Sequence, residues 1–301
     1  MGLVVRGRGL LIAALPHRSC LRPASSMPPI KVGLIGGTGL EDPAILKDAS
    51  EKYVDTPYGT PSDVLKTGKI GGVDVVLLSR HGRKHEFSPS SVNFRANLWA
   101  LKEEGVNLIL VSTACGSLQQ DIEPGHLVFI DQYIDRTSGR KRSFYDGTAG
   151  GLKGVGHAAM HTPYDTRLRQ LLADCAAELD IKHHKGGTAV CIEGPAFSTR
   201  AESLLYKSWG AAIVNMTTVP EVCLAGELGI PYASVALVTD YDCWHPDFTA
   251  VSNDAVVATF SANKDKAIRI LSAAVAKAAT LDWSEYLEKK KKEAAAAVFQ
   301  T

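Results

Sequence analysis

The 301-residue chain lacks most of the signatures that assign a protein quickly. Its apolar runs stay well short of the ~20 residues that a transmembrane helix needs. Neither sign of charge is in excess. There are 33 basic and 32 acidic residues, and the formal net charge of +1 leaves no electrostatic case for nucleic acid or a charged membrane surface. Six cysteines (Cys20, Cys115, Cys175, Cys191, Cys223 and Cys243) are scattered, none at CxxC spacing, so neither a zinc site nor a dithiol redox motif is expected. Most lie in apolar stretches and read as buried, reduced thiols of an intracellular protein. The dinucleotide fingerprint GxGxxG is missing: counted from Gly37, its third glycine would fall on Asp42. No Gly-Lys-Ser/Thr follows a glycine loop, and HExxH and GxSxG do not occur.

Acid is also absent from the start of the chain, where the first acidic residue is Glu41. Residues 1–29 combine several arginines and serines in a composition that resembles an organelle transit peptide. The apolar segment LLIAALP is short for a secretory signal, and MGLVVR lacks the Ser or Thr that favours myristoylation. A disordered leader with no address is the simpler alternative, with Met27 as a second possible start.

From Ile30 onward, short apolar runs alternate with amphipathic stretches. Strands are expected at 31–37, 73–79, 107–113, 126–132, 187–193, 211–217 and 232–239. Helices are expected at 92–105, 165–179, 219–229 and 252–279, the first and third ending in glycine and the last capped by Ser252. This alternation predicts an α/β fold with a mostly parallel, twisted central sheet flanked by helices. Without an internal repeat or a linker, residues 30–288 read as one domain, followed by a lysine- and alanine-rich tail at 289–301.

Six motifs follow strand ends. In GLIGGTGLED (33–42), a glycine turn holds one hydroxyl, Thr38; it is either a small-anion cradle or a plain strand exit. In SRHGRKH (79–85), Arg80 and His81 leave a strand together and suit an oxyanion; the alternative is a basic surface loop. Gly82 occupies the glutamate position of HExxH, which argues against a His81/His85 metal site. STACGSL (112–118) offers Ser112, Thr113 and Ala114 for close backbone approach to a ligand, with Cys115 as a core thiol. VCIEGPAFSTRAE (190–202) places Phe197 at a strand exit, to stack on a planar ring or to join the core, before a helix opening near Ser198. IVNMTTVPE (213–221) ends a strand with Asn215, Met216 and Thr217, where Thr217 or Thr218 can cap the next helix. LVTDYDCW (237–244) carries Asp240 and Asp242, candidates for metal ligation, acid/base chemistry, helix capping or reading a ligand edge. If the strand persists, both side chains lie on one face.

In wording, order and spacing, GLIGGTGL, RHGR, TACGSL, IEGPAFSTRAE, NMTTVPE and TDYDCW resemble the S-methyl-5′-thioadenosine phosphorylases, of the trimeric branch of the purine nucleoside phosphorylase superfamily. The resemblance covers roughly residues 30–290. It implies phosphorolysis of an N-glycosidic bond, with inorganic phosphate as co-substrate and neither cofactor nor metal. It assigns phosphate binding to Thr38, Arg80, His81, Thr113, Ala114 and Thr217. It assigns substrate binding to Phe197, Ser198, Met216, Asp240 and Asp242, with Asp240 as general acid toward the leaving purine. It further implies a homotrimer in which His157 of a neighbouring subunit completes the 5′ end of each site, lined also by Val251 to Val257. A cytoplasmic and nuclear location goes with the family; the acid-free leader keeps organelle targeting as the alternative.

Relatives acting on 6-oxopurines carry Asn in place of Asp240 and Glu in place of Ser198, so this pair favours an aminopurine. Ala196 stands where the methylthioadenosine phosphorylases often have arginine and the 6-oxopurine relatives a small residue, which touches substrate affinity. The competing readings are a 6-oxopurine phosphorylase, a nucleosidase using water, and an inactive nucleoside-binding protein.

Overall fold

The computed structural model describes residues 29–37, 45–246 and 252–299. Residues 1–28 of the expected leader, Thr38 and Val251 lie outside the described residues. In chain order the elements are β1 (Lys31–Gly36), β2 (Lys47–Lys52), β3 (Leu65–Ile70), β4 (Val73–Ser79), α1 (Phe94–Glu103), β5 (Leu108–Ser117), β6 (Leu127–Phe129), β7 (Gln132–Arg136) and β8 (Val155–Gly156). They continue with α2 (Thr166–Glu178), β9 (His183–His184), β10 (Thr188–Ile192), α3 (Arg200–Ser208), β11 (Ile213–Asn215), α4 (Thr218–Glu227), β12 (Tyr232–Asp240), α5 (Asn253–Ala278), α6 (Ser284–Ala296) and β13 (Val298–Phe299).

Eleven of these strands form one mixed sheet. The order is β2-β3-β4-β1-β5-β11-β10-β7, and β12 joins β5 to β6 and β9. Pairing is parallel through β4, β1, β5 and β12 and again through β11, β10 and β7. It is antiparallel at β2–β3–β4, at β12–β6 and where β11 meets β5.

The sheet is covered on both faces, as the near-continuous apolar strands require. One core gathers α2 and α5 around Leu172, Phe260, Leu271 and Trp283. The other gathers α1 and α4 around Leu98, Trp99, Val222 and Leu224. Three helices start where side chains satisfy their first N–H groups: Asn93 accepts from Ala96, Asp165 accepts from Leu168, and Thr199 forms a capping box with Glu202. None of the described helices is long and apolar enough to cross a membrane.

Three segments depart from the sequence expectation. β2, the sequence KDASEK, is exposed along its whole length and pairs with β3, LKTGKI, which is buried at its two ends. A solvent-facing edge strand such as β2 has no apolar run to announce it. The run at 126–132 divides, its first half becoming β6 and its end opening β7 on the far side of the sheet. The lysine-rich stretch continues α6 across position 288, and β13 then pairs with β8 next to His157.

The strand that organises the molecule is β5. β12 runs along one of its edges from Ile109 to Gly116. β1 and β11 must therefore share the other edge: β1 pairs only as far as Val111, and β11 begins at Gly116. Between them, Ser112 to Cys115 have no strand partner on that edge among the described residues.

Candidate active site

That gap in β5 opens a cleft of about 800 Å³. The carboxyl ends of β1, β4, β10, β11 and β12 converge on it, the position where ligands enter α/β sheets. Arg80, His81, Thr113, Ala114, Phe197, Ser198, Met216, Thr217, Asp240 and Asp242 all line it. Of the remaining site residues expected from the sequence, Thr38 lies outside the described residues and His157 is elsewhere.

One end is built for an anion. Arg80 is 1% exposed and makes a two-pronged pair with Glu221, Nε to Oε2 and Nη2 to Oε1, both at 2.8 Å. Its Nη1 donates to the Ser112 carbonyl at 2.9 Å. A guanidinium has five N–H groups, so with three engaged two remain for the cleft. Burial disfavours the charge, but Glu221 outweighs burial and keeps the guanidinium protonated. Gly37 has to be glycine here, because a Cβ would stand 2.9 Å from the Ser112 oxygen and 3.0 Å from Arg80 Nη1.

Beside Arg80, the His81 Nδ1 lies 2.8 Å from the Phe87 carbonyl oxygen. Burial, then the Arg80 charge, lower the His81 pKa to about 4. Thr113 Oγ1 and Thr217 Oγ1 face each other at 3.4 Å. Thr217 sits at the N-cap of α4, yet its hydroxyl makes no cap bond. The capping reading of Thr217 is set aside, because the hydroxyl turns toward the cleft.

The other end carries the two carboxylates. Asp240 accepts from the Thr239 hydroxyl and from the Asp242 backbone N–H, each at 2.7 Å. The strand does not persist: β12 ends at Asp240 after a register shift, and Asp242 adopts φ +49°. A tight turn, and not strand alternation, brings both carboxylates to one place. The turn packs against Gly116, where a Cβ would come 2.9 Å from Asp240 Oδ1 and 3.2 Å from Asp242 Cβ. Burial raises the pKa of Asp240, and it raises that of Asp242, to which the Asp240 charge adds.

Around them, both amide atoms of Asn215 are buried without a protein hydrogen bond. Buried polar atoms normally find partners, so this edge has the form of a ligand site. Phe197 is 39% exposed at the cleft, which excludes the core reading for it. Met216 lies on the same wall as Gly194, with Sδ 2.7 Å from where a Cβ would be. Beyond them, Val256, Val257 and Phe260 of α5 form an apolar end. His157 is exposed on the surface and stacks edge-on with Phe299, centroids 5.8 Å apart. Among the described residues, no group of three His, Cys, Asp or Glu is placed to hold a metal.

A family model of the phosphorylase superfamily matches residues 31–276. The S-methyl-5′-thioadenosine phosphorylase of Caenorhabditis elegans is 54% identical over 265 residues, which are 88% of this chain and 92% of the relative. The chain belongs to the S-methyl-5′-thioadenosine phosphorylase family. The Xenopus tropicalis member is 54% identical over 87% of this chain and 94% of its own length. Among solved structures, methylthioadenosine phosphorylase from Schistosoma mansoni in complex with adenine superposes with a TM-score of 0.87 at 42% identity, covering 89% of this chain and 99% of that one. A variant of the adenosine/methylthioadenosine phosphorylase of the same organism, in complex with methylthioadenosine, gives 0.86 at 43% identity, covering 89% and 98%.

Sequence reasoning missed two residues that hold this cleft together. Glu221 appeared only as a letter in NMTTVPE; its partner Arg80 lies 141 positions away. Arg140 drew no notice in a polar loop. Its guanidinium donates to the carbonyls of Met216, Val219, Ile192 and Glu193 and to the Glu193 carboxylate. One side chain thus ties the β11 exit, with Met216 and Thr217, to the β10 exit that leads to Phe197. Arg140→Lys keeps the charge and loses the fork. We expect kcat/KM to fall by about 10–10²-fold, since misplacing binding loops by an ångström has effects of that order. Steady-state kinetics beside a melting curve check this; a large stability loss with unchanged kcat/KM would reduce Arg140 to scaffolding.

Proposed function

We infer that the chain catalyses phosphorolysis of S-methyl-5′-thioadenosine to adenine and 5-methylthioribose 1-phosphate, a pentosyl transfer feeding purine and methionine salvage. The observation that carries the reading is the placement of two burial-raised carboxylates and the Arg80–His81–Thr113–Thr217 group in one cleft. The C1′–N9 bond breaks, and its electron pair leaves with adenine. A phosphate oxygen, held by Arg80 and the hydroxyls of Thr113 and Thr217, forms the new bond to C1′. Positioning and charge stabilisation account for most of what such a site has to supply. Asp240, whose pKa burial raises, gives its proton to purine N7, and Asp242 accepts from the 6-amino group.

Met216 lies along the ribose, Phe197 packs on the purine, and Val256, Val257 and Phe260 receive the methylthio group. The reading requires only phosphate, as co-substrate, and no cofactor. We further propose a homotrimer. His157 lies outside the cleft of its own chain, among exposed Val155 and Phe299, and is free to complete a neighbour's 5′ pocket.

The test is adenine release from methylthioadenosine, adenosine and inosine, with and without phosphate. Release that needs phosphate and favours the methylthio nucleoside is expected. Equal release without phosphate identifies a nucleosidase, and binding without turnover an inactive nucleoside-binding protein. Light scattering giving a mass other than three chains removes the trimer.

A further inference from the structure

We propose that His126 and His184 form a two-imidazole site for a borderline transition-metal ion, Zn²⁺, Ni²⁺ or Cu²⁺, outside the substrate cleft. Neither residue lines the cleft, and the site does not depend on the phosphorolytic reading. The fold brings together two histidines that lie 58 positions apart in the chain. His126 directly precedes β6 and His184 ends β9, and these two short strands pair in parallel with Val128 opposite His184. His126 Nδ1 and His184 Nε2 are 3.1 Å apart, and both rings are half-buried. Imidazole nitrogen binds such ions at about 2.0–2.1 Å. Two nitrogens on one ion therefore sit about 2.9 Å apart at a right angle and about 3.3 Å apart at the tetrahedral angle. The observed separation falls between the two, so an ion fits with little movement of either ring.

The backbone holds the first ligand in place. Gly125 N–H donates to the Val238 carbonyl at 2.8 Å, Val238 N–H donates to the His126 carbonyl at 3.0 Å, and Lys266 Nζ donates to the Gly125 carbonyl at 3.0 Å. The Glu123 N–H donates to His126 Nδ1 at 3.1 Å, so that nitrogen carries a lone pair and no proton. Two N–H donors, from Glu123 and His184, crowd this single lone pair. An ion takes the place of the proton between the rings, with His184 in the tautomer protonated on Nδ1. The third histidine here, His183, is turned away: its Nδ1 lies 2.9 Å from the Ile181 carbonyl oxygen, and its ring packs on Phe129. Two protein ligands with water in the other positions agree with there being no group of three ligands among the described residues. Burial lowers the pKa of both rings, with Lys182 and Lys266 adding to it at His126, and His126, Lys182 and His183 at His184. Glu123 and Asp121 oppose this without reversing it, and their charges offset that of a divalent ion. The rings are thus neutral at physiological pH, the form that binds metal. Imidazole suits zinc, nickel and copper and leaves magnesium and calcium to oxygen ligands.

The experiment titrates Cu²⁺, Ni²⁺, Zn²⁺ and, as a control, Mg²⁺ into the untagged full chain by calorimetry at neutral pH, beside melting curves. His126→Asn keeps an acceptor for the Glu123 and His184 N–H groups, and His184→Gln keeps a donor toward His126. Both variants retain the hydrogen bond and remove a metal ligand. The wild type should bind the three transition metals, Cu²⁺ most tightly, and raise its melting temperature with them, while Mg²⁺ does neither. Loss of even an outer partner of a metal ligand costs about 10–10²-fold in affinity, so each variant should bind at least about tenfold more weakly. The wild-type affinity should hold as pH falls to about 6.5, the ordinary imidazole pKa, and be lost below it as the rings take protons. Electron paramagnetic resonance of the Cu²⁺ form should show two imidazole nitrogens, a readout that stands should a variant not fold. No saturable binding of any of the three ions by the wild type, binding at full strength in either variant, or a Cu²⁺ spectrum with fewer than two imidazole nitrogens overturns the proposal. Adenine release, followed separately, leaves these readouts untouched whatever its outcome.

Discussion

Replacement of Asp240 by Asn is expected to lower kcat on methylthioadenosine by about 10²–10⁴-fold, the usual contribution of a positioned general acid, with a much smaller change in KM. The side chain keeps its size and can still accept from the Asp242 N–H, but it cannot give up a proton. Burial raises the Asp240 pKa, so its proton persists to higher pH than that of an ordinary carboxyl. In the wild type, kcat/KM should fall on the alkaline side as this proton is lost; the alkaline limb should vanish in the variant.

The linkage sign keeps folding from confusing the result. A folded-state pKa above the unfolded value means a stability contribution present below the unfolded pKa and lost as pH rises through the folded one. Ionising this buried carboxyl works against the fold, so a neutral amide should leave the melting temperature largely intact. Activity on inosine should rise relative to methylthioadenosine, because Asn can donate to a 6-oxo group. Normal turnover of methylthioadenosine by the variant removes Asp240 as the acid.

The second large effect is expected at Glu221. It is fully buried and accepts from Arg80 Nε, Arg80 Nη2 and the Tyr232 hydroxyl. Glu221→Leu leaves the Arg80 charge buried without its partner, a change that costs about 3–5 kcal/mol. Chemical denaturation measures this, and KM for phosphate should rise with it, because the guanidinium loses the fork that aims its two free N–H groups. The double variant Arg80→Met with Glu221→Leu separates the two effects. Removing both charges together is often nearly neutral for stability. The double variant should therefore recover most of the lost stability and none of the phosphate affinity. If stability stays low, packing at Glu221 outweighs the charge; if phosphate affinity returns, Arg80 is not at the anion site.

Legibility from sequence followed the physics of each element. β1, β4, β10 and β12 were readable because strands buried on both faces must be apolar throughout. β2 was not, because an exposed edge strand is under no such demand. Arg80, His81, Phe197 and Asp240 stood out as polar or aromatic side chains where apolar runs stop, which is where α/β sheets bind ligands. Glu221 and Arg140 act on partners across the fold, and nothing local in their sequence marks that.

By itself the sequence determined the alternation of strands and helices and the six motifs at strand ends; the leaning toward an aminopurine came through the family that those motifs resemble. These are local properties, written in periodicity and residue type. Only the tertiary structure decided that β1 and β11 leave Ser112 to Cys115 uncovered, that a turn and not a strand unites Asp240 with Asp242, that the Thr217 hydroxyl faces the cleft, and that the His81 ring is held by the Phe87 carbonyl. Each depends on which distant groups occupy an edge, a face or a hydrogen bond, and that competition is settled when the chain packs.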